Sequence, residues 1–269
     1  MSFEVAAGAY ERFMGRFSVP LAARFADLAG VVAGLRVLDV GAGTGALTNE
    51  LVGRVGAAAV AAVDPSEAFV AAARARFPDV DVRLGSAEHL PYPSEAFDCA
   101  LAQLVVHFMR DPVAGLREMA RVTRAGGVVA ACVWDHAAGG GPVSLFWRAA
   151  LDLDPAARDE SGLAGAREGH LAELFAAAGL AGVRSAGLTV GVTYAGFDAW
   201  WEPYTLGVGP AGDYVQGLDT AHRDALRAHC ASLLPAHGPI DITATAWAAV
   251  ATTGPSETTG RPQTTGPTS

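Results

Sequence analysis

The stretch "VLDVGAGTGAL", residues 37–47, constrains this chain more than any other part of its sequence. A short apolar run ends at Asp39 and passes into a turn with three glycines: Gly41, Gly43 and Gly45. Glycine permits positive φ angles and lets the backbone come close to a ligand. A helical pattern follows the turn. The stretch therefore predicts a strand, a glycine-rich turn and a helix N-terminus, which together form a site for an anion or a polar ligand.

Short apolar runs and helical patterns continue to alternate along the first half of the chain. Candidate strands lie at 35–40, 58–64, 80–84, 97–104 and 128–134. Runs this short and nearly unbroken, separated by helices, predict a parallel sheet that helices cover on both faces. Two longer candidates, at 183–195 and 240–250, complete the sheet.

The rest of the sequence suggests how the domain is organised. We expect one domain over 1–251, with an N-terminal cap at 1–34. The segments 136–165 and 197–236 are predicted to cover a substrate, because long insertions in compact domains are usually functional. The low-complexity tail at 252–269 has almost no bulky apolar residues and is predicted to be disordered.

Composition excludes several classes of function. All 19 basic residues among the 269 are Arg, so Schiff-base chemistry and the phosphate-binding P-loop lack their Lys. The net charge of −9 and the scattered Arg residues argue against a nucleic-acid partner. Three widely separated Cys residues argue against disulfides and a metal site. With neither a signal peptide nor an apolar membrane span, we expect a cytoplasmic protein without a membrane partner.

Asp39 narrows the choice of ligand at the glycine turn. The pattern "GAGTGA" also fits a dinucleotide-binding fingerprint, but a carboxylate beside the turn would repel a diphosphate. The same carboxylate suits a ligand that is cationic there, and S-adenosylmethionine carries an ammonium and a sulfonium. At about 4 Å such a charge pair is worth ~1 kcal/mol in water and ~4 kcal/mol at an effective dielectric of 20.

Asp64 lies 19 residues beyond Gly45, at the end of the second candidate strand. An acid there can accept hydrogen bonds from both hydroxyls of a ribose, in sites for nicotinamide dinucleotides as well. The alternative is a structural role as a helix N-cap, with Pro65 at the first helical position.

Four segments in order carry a family resemblance over roughly residues 10–135. They are "VLDVGAGTG", "VAAVDPSEAFVAAAR", "VRLGSAEHLPYPSEAFDCALAQLVVHFMRDP" and "EMARVTRAGGVVAACVWD". They resemble the class I S-adenosylmethionine-dependent methyltransferases, in the broad group that includes the ubiquinone and menaquinone biosynthesis enzymes. The resemblance implies an α/β fold with a Rossmann-like, seven-stranded sheet, mostly parallel, whose last strand is antiparallel.

The resemblance also implies roles in cofactor binding. Asp39 and the turn over 41–45 would hold the methionine part, and Asp64 with the adjoining Pro65 would hold the ribose. Ser86 and Ala87 would flank the adenine. The family usually has Asp where Ser86 stands, so that hydrogen bond lacks charge assistance.

Further cofactor contacts are expected from the fourth strand and the N-terminus. Gln103 would lie under the cofactor and face the substrate, or else be a strand-end polar group satisfied by the backbone. The segment "YERFMGRFS" resembles one that folds over the cofactor in related proteins. Tyr10 could then cover the methionine portion and Arg16 could pair with its carboxylate. The alternative is an ordinary amphipathic helix.

Methyl transfer requires a general base only when the acceptor must lose a proton. His107, just past the fourth strand, is the best candidate for that base, and its alternative is a packing or capping role. Asp135 and His136, which end the fifth strand, are weaker candidates.

The predicted covering segments are rich in aromatic side chains: Phe146, Trp147, Trp200, Trp201 and Tyr204. Those that face the site would suit a flat or apolar acceptor, whereas others must pack the core. The sequence thus predicts a methyltransferase that uses S-adenosylmethionine on a small organic acceptor that is apolar or aromatic. The alternatives are an NAD(P)-dependent oxidoreductase and a non-catalytic protein that binds the cofactor as a sensor or interaction module.

Overall fold

The computed structural model describes residues 11–254. In this range seven strands lie at Val37–Val40 (β1), Val60–Asp64 (β2), Asp81–Leu84 (β3), Phe97–Gln103 (β4), Thr123–Trp134 (β5), Arg184–Tyr194 (β6) and Ile240–Thr252 (β7). The same residues form nine α-helices, at Arg16–Leu28 (α1), Ala46–Val55 (α2), Glu67–Arg76 (α3), Pro112–Val122 (α4), Ser144–Leu153 (α5), His170–Ala177 (α6), Phe197–Trp201 (α7), Gly209–Gly217 (α8) and Thr220–Ser232 (α9).

The strands form one sheet in the order β3-β2-β1-β4-β5-β7-β6. Neighbours from β3 to β5 are parallel, whereas β7 runs antiparallel to both β5 and β6. The predicted seven-stranded, mostly parallel sheet with an antiparallel last strand is therefore confirmed. In its register Val37 pairs with both Val60 and Cys99, which brings the carboxyl ends of β1, β2 and β4 to one edge.

Both faces of the sheet are buried at its central strands β1, β2 and β4, as the unbroken apolar runs predicted, whereas the edge strands β3 and β6 are largely exposed. Along β1, Val37 belongs to one hydrophobic core cluster, whereas Leu38 and Val40 belong to the other. Successive side chains of a strand point to opposite faces, so each face needs its own layer of helices.

The junction between α4 and β5 differs from the sequence expectation of a strand that begins at residue 128. The helix ends at Val122, and the strand begins at Thr123. Thr123 pairs with Phe97 of β4, and its hydroxyl donates to the carbonyl of Met119 at 2.7 Å. Tertiary pairing thus overrides local helix propensity at this junction.

The predicted covering segments hold helices, with α5 inside 136–165 and α7, α8 and α9 inside 197–236. At the other end, β7 extends to Thr252, and the Thr253 amide donates to the carbonyl of Gly127 at 2.9 Å. The predicted boundary at 251 therefore falls within paired strand residues. A search of residues 11–254 found no helix with both the length and the apolar character needed to span a membrane.

Candidate functional site

Three neighbouring strands end side by side, β1 at Val40, β2 at Asp64 and β4 at Gln103. A crevice at the carboxyl ends of parallel strands is the usual ligand site of such sheets. A cavity of about 160 Å³ lies there, which we call the glycine-turn cavity. Its walls are Gly15, Ser18, Asp39, Gly41, Ala42, Gly43, Thr44, Ala46, Leu47, Asp64, Pro65, Ser66, Phe69, Gln103, Leu104, Val105 and Phe108.

The turn after β1 is fixed to the neighbouring strand by its backbone. The amides of Gly41 and Ala42 both donate to the carbonyl of Val63, at 2.7 and 3.0 Å. Gly41, Gly43 and Gly45 have φ angles of +73°, +55° and +89°, which glycine adopts without the steric cost of a side chain.

Two of these glycines are also required by close packing. A Cβ on Gly41 would lie 2.5 Å from Cγ2 of Val105, and one on Gly45 would lie 2.4 Å from Cε2 of Phe77. A Cβ on Gly43 would meet nothing within 4 Å. Gly45 does not itself line the cavity, and its role here is to let α2 begin against Phe77.

Asp39 lines the cavity although it is only 1% exposed. Its Oδ2 accepts a hydrogen bond from the Thr48 hydroxyl at 2.6 Å. Burial raises the pKa of Asp39 from 3.8 to about 7, the Asp64 charge adds to this rise, and the Thr48 bond opposes it. Sequence reasoning missed Thr48, although a hydroxyl in the first turn of the helix after a glycine turn was a usable signal.

Asp64 is held by two backbone amides. Oδ2 accepts from Gly43 at 2.8 Å and Oδ1 accepts from Ser66 at 2.8 Å. Burial raises the pKa of Asp64, and these two bonds oppose the rise. The alternative N-cap reading is wrong, because α3 begins at Glu67 and the Ser66 hydroxyl accepts from the amide of Phe69. Asp64 and Pro65 both line the cavity.

Gln103 at the end of β4 connects the cavity wall to the N-terminal helix. Its side-chain amide donates to the Ser18 carbonyl at 3.0 Å. Its Oε1 is buried and has no hydrogen-bond partner among residues 11–254. Gln103 lines the cavity, and this oxygen is an acceptor that no donor within residues 11–254 satisfies.

Leu104 turns the chain sharply after β4. Its φ of +62° is rare for a residue with a side chain and costs about 1–3 kcal/mol. The Leu104 amide donates to the Cys132 carbonyl at 2.8 Å, which ties this turn to β5. The turn leads into the 3₁₀ segment Val106–Phe108 and places Val105 and Phe108 in the cavity wall. No local sequence pattern predicts this geometry.

The two predicted adenine residues lie outside the lining of the glycine-turn cavity. Ser86 forms an isolated antiparallel bridge with His89, and its hydroxyl bonds the Glu88 side chain. Ala87 is buried in a core cluster, near Gly115. Their contact with adenine stays a prediction.

The N-terminal predictions have different outcomes in the described structure. Tyr10 lies outside the described residues. Arg16 is exposed, and its guanidinium carbon lies 5.2 Å from the ring centroid of Tyr194. Arg16 does not line the cavity, although Gly15 and Ser18 beside it do. Its pairing with a ligand carboxylate stays a prediction.

His107 lies beside the glycine-turn cavity rather than in its lining. Its ring packs on Phe108 with centroids 3.9 Å apart, and the ring of His136 lies 6.2 Å away. The Nδ1 atom of His107 is buried and has no hydrogen-bond partner within residues 11–254. Burial lowers the pKa of His107 to about 3, with a smaller effect from His136, so the ring is neutral at pH 7.

The five aromatic residues of the predicted covering segments are all buried. Phe146 stacks on Tyr204 with centroids 4.6 Å apart, and Trp200 lies 4.9 Å from the same Tyr204 ring. None of the five lines the glycine-turn cavity. In the described structure they pack mainly against one another, and Trp147 also borders a second cavity, described below.

Comparison with known proteins matches the part of the chain that contains most of the glycine-turn cavity. Residues 38–131 match the family described as "Methyltransferase domain". An uncharacterized methyltransferase of Mycobacterium bovis is 42% identical over 127 residues, 47% of this chain and 49% of that protein. A demethylmenaquinone methyltransferase of Mycobacterium sp. is 45% identical over 103 residues, 38% of this chain and 43% of that protein. The chain thus spans about half the length, or less, of these curated relatives.

A solved structure extends the likeness to the whole fold. The chain is similar to a phosphoethanolamine N-methyltransferase of Haemonchus contortus, in complex with phosphomonomethylethanolamine and S-adenosylhomocysteine. The TM-score is 0.55 at 17% identity, and the match covers 93% of this chain and 57% of that one. At this identity the likeness concerns the fold alone. The resemblance seen in the sequence is confirmed over residues 38–131, which match a methyltransferase domain, and both curated relatives are named as methyltransferases.

Proposed function

We propose that this protein transfers a methyl group from S-adenosylmethionine to a small organic acceptor at O, N or C. The observation that carries the proposal is the buried carboxylate of Asp39 in the wall of the glycine-turn cavity. A buried carboxylate favours a cationic ligand and disfavours a diphosphate, because opposite charges attract more strongly where solvent is excluded.

The residues around the cavity fit the cofactor's polar groups. Asp39, the glycine turn and the unpartnered Oε1 of Gln103 would hold the amino acid end, whose ammonium supplies hydrogen-bond donors. Asp64 would hold the ribose, since an ionised carboxylate accepts about four hydrogen bonds and backbone amides take two of them here. When bound, S-adenosylmethionine supplies an electrophilic methyl group on a positively charged sulfur.

The chain's own contribution is mainly to align the acceptor and exclude water. In-line displacement needs the nucleophile about 3–3.5 Å from the methyl carbon, and charge disperses as the bond forms. His107 would accept a hydrogen bond from the acceptor, because its ring is neutral. Its pKa near 3 makes it a weak base at pH 7, so we expect orientation rather than full proton removal in the free enzyme.

The two alternative functions make different demands on the site. A nicotinamide dinucleotide would place its diphosphate beside Asp39, where like charges repel. Among residues 11–254, no Arg lines the cavity to offset that repulsion. A non-catalytic cofactor sensor would need the same cofactor contacts and no acceptor. The demethylmenaquinone enzyme is matched over 103 residues only, so its quinone acceptor is not transferred to this chain.

Calorimetry on the full chain tests the cofactor. We expect S-adenosylmethionine and S-adenosylhomocysteine to bind and NADH not to bind, and tighter binding of NADH would contradict the proposal. Transfer of a radiolabelled methyl group to a metabolite library then separates enzyme from sensor. Cofactor binding without transfer to any acceptor in a broad library would favour the sensor.

A further inference from the structure

A second, larger cavity opens beyond the carboxyl end of β5. Its volume is about 580 Å³, and its walls are the loop 136–139, one face of α5 and residues 159–161. We call it the α5 cavity. It lies outside residues 38–131, so the family match assigns nothing to it.

Three aromatic rings lie between the two cavities. Phe108 lines the glycine-turn cavity, and the His107 ring packs on it. The next ring along, His136, lies 6.2 Å from His107 and lines the α5 cavity. The His107 and His136 rings therefore stand between the glycine-turn cavity and the α5 cavity.

The α5 cavity presents polar atoms that lack partners. His136 Nε2 and Ser144 Oγ are buried and have no hydrogen-bond partner anywhere in residues 11–254. Leaving such groups unpaired is unfavourable, so each of them favours a ligand that bonds it. Burial lowers the pKa of His136 as it does that of His107, so both rings are neutral and can accept a hydrogen bond from a ligand.

The charges around the α5 cavity favour a cation. Its lining contains three carboxylate residues, Asp152, Asp159 and Glu160, and one guanidinium residue, Arg148. Glu160 is 8% exposed, and its Oε2 accepts from the indole nitrogen of Trp147 at 2.9 Å. A buried carboxylate fixed to an aromatic side chain is a suitable environment for an organic ammonium group.

The other two carboxylates have polar partners on the protein. Asp152 Oδ2 lies 2.9 Å from Nε2 of His229, and Asp159 Oδ1 accepts from the Ser161 amide at 3.1 Å. They therefore add negative potential at the rim, while Glu160 is the buried acidic group of this cavity.

We propose that the α5 cavity binds a small organic amine with an aromatic or apolar body, in a site separate from the glycine-turn cavity. The ammonium would pair with Glu160, and a further N–H would be accepted by His136. This site goes beyond the proposed methyl transfer, because the His107 and His136 rings stand between it and the glycine-turn cavity.

Three probes of the same shape test the charge preference. 2-Phenylethylamine, 2-phenylethanol and 3-phenylpropionate carry a positive, neutral and negative group, and each is titrated into the full chain with and without S-adenosylhomocysteine. We expect the amine to bind roughly 10-fold or more tightly than the alcohol, and the carboxylate least tightly.

Charge-neutral variants locate the site. Glu160→Gln should weaken the amine roughly 10-fold and leave the alcohol unchanged. Glu168→Gln removes the same charge from an exposed residue outside the cavity and should change neither. Because Glu160 is buried, Asp159→Asn serves as a second variant, and it should weaken amine binding in the same direction by a smaller factor.

The outcomes separate this inference from the proposed function. Binding of the cofactor product without any amine preference would overturn the amine site and leave the proposed function standing. An equal effect of Glu160→Gln and Glu168→Gln would overturn the α5 cavity as the site. Amine binding that depends on Glu160 in a chain that does not bind S-adenosylhomocysteine would support the cavity and overturn the proposed function.

Discussion

The two cavities at the carboxyl edge of the sheet are built in different ways. The glycine-turn cavity is formed largely by backbone, where a turn between β1 and α2 approaches the ends of β2 and β4. The α5 cavity is formed by side chains of a helix and two loops that follow β5. The first lies mostly within residues 38–131, which match the family, and the second lies entirely beyond them.

This difference suggests that the two cavities recognise their ligands in different ways. Backbone geometry and a few acids beside a glycine turn can recognise one cofactor in many proteins. Side chains on a helix and loops can change without altering that turn, and so can set which further ligand the protein binds. Substitutions in and beside the glycine-turn cavity test whether its stability and ligand binding depend on backbone geometry and buried charge.

The largest expected effect is that of Gly41→Ala. The new Cβ must adopt a left-handed φ, at about 1–2 kcal/mol, and must displace Val105, at about 1–3 kcal/mol. We therefore expect urea unfolding to show a loss of about 2–5 kcal/mol, together with weaker binding of S-adenosylhomocysteine.

Gly43→Ala is the matched control, because its φ is also positive but its Cβ would have open space. It should cost only about 1–2 kcal/mol. Equal losses in the two variants would show that the contact with Val105 is unimportant and that the turn is less closely packed than the structure indicates.

The sequence predicted the part of the site that depends on local rules. Asp39, Asp64 and the glycine turn occupy positions where alternating strands and helices must place them, so they could be identified from spacing. Thr48 and Ser18 could not be assigned partners, because their contacts with Asp39 and Gln103 arise only when helices pack onto the sheet. The α5 cavity depends on the position of one helix relative to two loops, for which the sequence carries no periodic signal.

The second effect is the change in the free energy of unfolding with pH that comes from the buried carboxylate of Asp39. Its folded-state pKa of about 7 exceeds its ordinary value of 3.8, so between those pH values the folded chain holds a proton that the unfolded chain has released. The contribution of Asp39 to the stability of the folded chain is full below about pH 4 and is lost as pH rises through about 7. The total change is about 4 kcal/mol, at 1.36 kcal/mol for each unit of pKa.

Asp39→Asn should remove this dependence, since the amide does not titrate. Unfolding free energies measured between pH 4 and 8 should show the variant gaining stability relative to the parent as pH rises. Other carboxylates are common to both proteins and cancel in the difference. The same variant should bind S-adenosylmethionine less tightly at pH 8, because the negative charge is gone. Parallel pH curves for the two proteins would contradict the buried, titrating Asp39.

A third effect tests Asp64 as a ligand group. Asp64→Ala should weaken binding of S-adenosylhomocysteine by about 1.5–3 kcal/mol for each hydrogen bond to the ribose. The substitution also removes the acceptor of the Gly43 and Ser66 amides, so the loss could come from a distorted turn.

Deoxygenated ligands separate these two causes. The 2′-deoxy and 3′-deoxy forms of S-adenosylhomocysteine should bind the parent less tightly than the full ligand, and should bind Asp64→Ala about as tightly as the full ligand does. Unchanged affinity of the parent for both deoxy forms would remove Asp64 from the ribose site.

The smallest expected effect is that of Thr48, which acts on the cofactor only through Asp39. Its hydroxyl favours the ionised carboxylate, so Thr48→Val should raise the pKa of Asp39 further and cost about 1 kcal/mol of cofactor affinity at pH 7. Thr48→Ser keeps the hydroxyl and should bind as the parent does. Because the loss comes from protonation, it should shrink as pH rises to 9, where Asp39 is ionised in both proteins. A loss that is the same at pH 7 and pH 9 would mean that Thr48 shapes the turn sterically and does not tune the charge of Asp39.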